Sequence, residues 1–199
     1  MCNRSGISGR IPVIGHVDRE MNMRLAQSQI TLIIGLILAV IAGGSQASER
    51  SVKVMMPWDG EGTIYTIGTD TLLFMGAFEG IMYVEKEQGE LDAAFAKCPA
   101  SQQIKIKDKS TKASGYCQIT ISPKDSVFAE WSCTGKVGSC TGTFKLTGGT
   151  GKFEGITGTS DLVVRSVLST LVGGMGDGSV VRAASGIAVL PKLTYKLAK

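Results

Sequence analysis

The residues with the widest chemical reach are four carboxylates, Glu79, Glu130, Glu154 and Asp161, on or beside stretches that alternate apolar and polar side chains. Glu79 is the most informative. Alternate side chains of an extended chain share a face, and the face of Glu79 also carries Leu73, Met75, Ala77, Ile81 and Tyr83. A carboxyl group desolvated by such neighbours keeps its proton to higher pH and becomes an acid or a hydrogen-bond donor. The opposite face carries Leu72, Phe74, Phe78, Met82 and Val84, and is more apolar still. If that face is the interior, Glu79 is simply solvated. Both readings are open at this level. Glu79 is the one catalytic candidate, and Glu79, Tyr83, Trp131 and Arg165 form the candidate ligand-binding set. Trp58 and Trp131 either line a cavity or pack in the core. Arg165, following Leu162-Val163-Val164, either pairs with an inward carboxylate or caps the rim of the fold.

Other chemistry is excluded by what is missing. The single histidine, His16, precedes an apolar leader, so the segment expected to fold has no Ser-His-Asp triad, no Cys-His pair and no histidine-ligated metal. No C-x-x-C pair suggests zinc. The glycine-rich run at 148–158 is not a phosphate loop. The pattern G-x-x-x-x-G-K-[ST] would need glycine at Leu146 and a hydroxyl at Phe153. The dinucleotide pattern fails at Glu154. No cofactor is expected.

The leader is read from Ile30–Ala42, an apolar run of 13 residues with Arg24 upstream and Ser45-Gln46-Ala47 downstream. That is the build of a secretory signal helix, with cleavage after Ala47. The alternative is an uncleaved anchor at residues 30–42, but a bilayer span takes about 20 apolar residues. Counted from Met21 the signal has an ordinary length, so residues 1–20 read as a mis-called extension, 21–47 as the signal peptide and 48–199 as one domain. The expected destination is the periplasm or the medium.

The processed chain keeps 17 basic and 15 acidic residues, a net charge of +2. Such a balance makes no case for nucleic acid. The one basic run, Lys105, Lys107, Lys109 and Lys112, reads as the wet face of a strand entering a turn. Four cysteines remain, Cys98, Cys117, Cys133 and Cys140. An even count in an exported chain argues for two disulfides. The short loop TGKVGS favours Cys133–Cys140, with Cys98–Cys117 by elimination. Cys117 facing Cys133 across the SPKDS turn is the competing arrangement.

Short runs rich in β-branched and aromatic residues recur between turn signals, the all-β pattern. They cover 52–56 (broken by Pro57), 63–67, 71–84 (one bent strand or two), 104–107, 116–121, 126–133, 141–147, 161–168, 179–190 and 192–197. Eight to ten strands are therefore expected. One short helix is expected at Glu90–Lys97. Val127, Ala129, Trp131 and Cys133 share one face, and Phe144 and Leu146 share another, as in an antiparallel barrel with a filled interior.

The stretch TGTFKLTGGTGKFEGITGTSDLVVRS, Thr141–Ser166, resembles the signature of the allene oxide cyclase/dirigent barrel superfamily. Its core is Gly148-Gly149-Thr150-Gly151-Lys152-Phe153, followed by Gly155 and Gly158. Gly76-Ala77-Phe78-Glu79-Gly80 with Tyr83-Val84-Glu85, and Trp131-Ser132-Cys133-Thr134-Gly135, are similar to exported bacterial members. The resemblance implies an eight-stranded antiparallel barrel with a central cavity, and dimers or trimers. Read physically, the glycine segment is a tight turn that Phe153 and Ile156 plug onto the barrel end.

Two functions follow as expectations. The first is a non-catalytic exported barrel that binds a small apolar ligand or a partner. The second, implied by the resemblance, is cyclase- or dirigent-like steering of a reactive small molecule. A void of about 300 Å³ or more would favour a ligand or steering; a barrel filled by its own side chains would leave a surface role.

Overall fold

Two-residue alternation of buried and exposed side chains marks most strands of the computed structural model, which describes residues 49–85, 89–167 and 180–198. The expected leader, with Cys2 and His16, lies outside the described residues. No helix among them is long and apolar enough to cross a membrane.

Eight strands form in chain order: β1 Glu49–Gly68, β2 Thr71–Val84, β3 Ala94–Lys105, β4 Ser110–Thr120, β5 Ser126–Lys136, β6 Ser139–Gly149, β7 Thr157–Ser166 and β8 Val180–Lys196. Each pairs antiparallel with the next, and β8 pairs back onto β1, closing a barrel. Closure leaves no free sheet edge. A barrel of eight strands is just wide enough to be filled by its own side chains.

Three expectations about elements are corrected. Residues 90–97 are not a helix: Glu90 to Ala93 form a turn and β3 begins at Ala94. Ala94, Ala96 and Cys98 point inward and are buried, so a period of two governs this stretch. An eight-residue helix has little stability of its own, whereas pairing with β2 and β4 satisfies the whole backbone. The turn is fastened by the Val84 N–H donating to Asp92 Oδ1 at 2.8 Å and by an Arg50–Glu90 ion pair at 2.9 Å. Second, Pro57 does not break β1. The ladder to β8 runs through it, while the ladder to β2 passes from Met55 to Trp58. The missing proline N–H is thus accommodated within a local gap in one ladder. Third, 179–190 and 192–197 are not separate: 180–196 is one strand that passes Pro191 with a register shift against β1 at Val52/Val54. Of the two readings of 71–84, the single strand is the one that forms.

The core is apolar apart from the buried hydroxyls of Thr111 and Ser160. One end is closed by Leu91, Phe153, Ile156, Leu193 and Tyr195, each 0–1% exposed. Phe153 closes a single 3-10 turn, Gly151–Phe153. Gly151 and Gly155 have φ of +60° and +71°, conformations that cost an L-residue strain. The glycine run therefore works as a folded plug.

Candidate functional site

Inside the barrel, aromatic rings fill the space left by glycines. Phe78 lies against Gly60, where an added Cβ would come within 2.7 Å of the ring, and Trp58 lies against Gly186. Trp58 and Phe78 meet edge to face at 5.0 Å between centroids. Phe74 and Trp131 join them at 5.6 and 6.1 Å from Phe78. These are favourable aromatic spacings. The inner side of β2 is consequently the Phe74/Phe78 face, and Glu79 and Tyr83 point outward.

What remains of the interior is a cavity of about 80 Å³, bordered by these rings and by all four half-cystines. The disulfides join Cys98 to Cys117, directly opposite on β3 and β4, and Cys133 to Cys140 across the β5–β6 hairpin. One polar pair borders the cavity: Gln102 Nε2 donates to Thr111 Oγ1 at 2.7 Å, and Thr111 Oγ1 donates to the Gln103 carbonyl at 3.2 Å. Among the described residues, no group of three His, Cys, Asp or Glu side chains gathers in a way that could hold a metal.

Of the four candidate ligand residues, only Trp131 lines the interior. Glu79, Tyr83 and Arg165 do come together, but outside. They border an open groove of about 640 Å³ over β7, β8, β1 and β2, with Pro57 and Ile187 among its other walls. The solvated reading of Glu79 is therefore the one the fold adopts, and these three residues border no internal cavity. The reason is the glycine–aromatic fit, which commits the other face of β2 to the core. Arg165, exposed near the end of β7, meets no inward carboxylate.

The Glu79 side chain is exposed and ion-paired. Its Oε1 meets Lys97 Nζ at 2.6 Å from the adjacent strand position. The hydrogen bond from Lys97 to Glu79, then their charge attraction, holds the Lys97 ammonium above its ordinary pKa, and Glu61 adds to this. Asp59 stands directly opposite Glu79 across β1 and β2. With both partners of the ion pair exposed, the pair contributes little to stability.

Beside the groove lies an apolar surface that the sequence reading did not single out. Met55 pairs with Tyr83, and Ile81 with Phe95, on adjacent strands. These four are between 42% and 47% exposed. Val189 and Ile187, partly exposed on β8, stand opposite Met55 and Pro57 and extend the surface. The signal was present: residues 71–84 are apolar on both faces, and only one face can be interior. No family model matches the chain, and no curated protein matches it.

Proposed function

We propose that this chain is an exported, non-catalytic barrel that binds a partner protein through the outer face of β8, β1, β2 and β3. The observation that carries the reading is the contiguous apolar surface of Met55, Tyr83, Ile81 and Phe95, beside a groove with Glu79 and Arg165 at its walls. Exposed apolar patches rimmed by polar groups mark interaction sites. A cavity of about 80 Å³ is small against the roughly 300 Å³ that ligand pockets usually offer. It gives no support to an internal ligand or to steering a reactive molecule. On the Gly148–Gly158 segment we assign the chain to the allene oxide cyclase/dirigent barrel superfamily, with that segment serving as an end plug. Two disulfides suit an oxidising compartment, and export is the reading they favour.

The test joins address and surface. The mass of the protein recovered from the envelope or medium is expected to correspond to a chain starting at Ser48; an intact leader would overturn export. Ile81→Glu together with Tyr83→Glu is expected to lose a cross-linked partner that the unaltered chain retains. Recovery of the same species with both chains would overturn the interface.

A further inference from the structure

The lysine run has no part in that outer face. The fold carries it to one end of the barrel, opposite the plug. Lys105 ends β3, Lys107 and Lys109 lie in the β3–β4 turn, and Lys112 begins β4. Lys136, ending β5, joins them, and all five are exposed. Among the described residues none of the five has an ion-pair partner. The only acidic residues in the β1–β2, β3–β4 and β5–β6 turns at this end are Asp70 and Asp108, and the Asp70 carboxylate accepts the Lys107 backbone N–H at 2.8 Å. At the plug end, by contrast, acids and bases interleave, as in Lys124-Asp125 and Lys152-Phe153-Glu154.

Two isoleucines stand among these lysines. Ile67, near the end of β1, is 50% exposed, and Ile106, in the β3–β4 turn, is 51% exposed. The described turns at this end are knit together. Ile106 N–H donates to the Asp70 carbonyl at 3.0 Å, Val137 N–H to the Lys109 carbonyl at 2.9 Å, and Ser166 N–H to the Gly138 carbonyl at 2.9 Å. Together they form one hydrogen-bonded platform that carries the lysines, with Ile106 in one of its turns and Ile67 at the adjoining end of β1.

We propose that this platform docks on an anionic lipid bilayer. Interfacial binding needs apolar side chains that enter the headgroup boundary, and cations that meet the surface potential. Ile67 and Ile106 supply the first, and the lysines, none of them in an ion pair among the described residues, the second; the Lys136 ammonium also donates to the Asp108 carbonyl at 3.0 Å. Lysine stems can lie along apolar surface while their ammonium groups stay in the headgroup layer. Ile67, at the end of β1, and Ile106, in the β3–β4 turn, are both half-exposed at the same end of the barrel.

The test is co-sedimentation of the purified chain, as the cell delivers it, with phosphatidylcholine vesicles with and without phosphatidylglycerol. Binding is expected only to the phosphatidylglycerol vesicles, and it should weaken as salt rises. Neutralising Lys105, Lys107 and Lys109 to Gln should lower affinity by about 5-fold per lysine. Ile106→Ser should weaken binding while leaving its salt dependence in place. Lys192→Gln, at the plug end, should bind like the unaltered chain. Equal binding to both vesicle types, no binding to either, or undiminished binding of the triple glutamine variant would overturn the proposal. The substituted side chains are exposed, and circular dichroism confirms the barrel in each variant.

Discussion

Asp125 accepts the backbone N–H of Lys152 on Oδ1 at 3.0 Å while its Oδ2 takes the Ser122 hydroxyl at 2.8 Å, fastening the β4–β5 turn to the glycine-rich plug. Thr150 reinforces the joint, its hydroxyl donating to the Lys124 carbonyl and accepting the Ser126 N–H. The hydrogen bond from Lys152, then that from Ser122, holds the Asp125 carboxyl below the ordinary carboxylate pKa. A depressed native pKa means the bond stabilises the fold above the unfolded value, about 3.9, and that this support is lost as pH falls through the native value. Urea midpoints at pH 6 and pH 3 should therefore fall further for the natural chain than for Asp125→Asn. Equal falls would remove Asp125 from the joint.

The plug itself should be costly to empty. Phe153 and Ile156 are fully buried, and Phe153→Ala is expected to destabilise by about 3–5 kcal/mol in denaturant titration. Gly151→Ala should cost about 1–2 kcal/mol, since its φ of +60° disfavours a Cβ. A loss under about 1 kcal/mol for Phe153→Ala would show that the ring does not seal the barrel.

How much of this was readable beforehand differs from element to element. The plug was, because Phe153 and Ile156 are the large apolar residues set among glycines. The hairpin of β4 and β5 was, because SPKD is a turn signal between two alternating runs. The inner face of β2 was legible only in part, since the Leu72, Phe74, Phe78, Met82 and Val84 side is the more apolar of the two. Both its faces are apolar, so periodicity alone cannot choose between them; Gly60 and Gly186, on other strands, decide by making room for Phe78 and Trp58. The start of β3 was missed because its alanines suit a helix as well as a crowded barrel wall. The gathering of Glu79, Tyr83 and Arg165 on one surface depends on β8 closing onto β1, a pairing no local pattern announces.

The two disulfides should differ in worth. Cys98–Cys117 spans 19 residues and Cys133–Cys140 spans 7. Restricting the unfolded chain by loops of these lengths stabilises by about 3 and about 2 kcal/mol. Replacing each pair with alanine and comparing unfolding in denaturant checks the order. Thiol titration of the denatured chain, purified without reductant, should find none of these four sulfurs free. Two or more reactive thiols there would contradict the bridges.

Glu79→Gln should leave thermal unfolding at neutral pH nearly unchanged, yet lower the Lys97 pKa toward its ordinary value in an NMR titration. The raised Lys97 pKa means that what support the pair gives is present below the unfolded value and lost as pH rises through the native one. An unaltered Lys97 titration would mean the pair does not form in solution.

The first and last strands are partners, with Glu49 opposite Lys196. A ribosome therefore delivers one half of that seam long before the other. Until β8 emerges, β1 lacks its mate, so no intermediate that lacks β8 can complete the cylinder. Up to that point the nascent sheet carries two open edges, each a row of unpaired backbone groups.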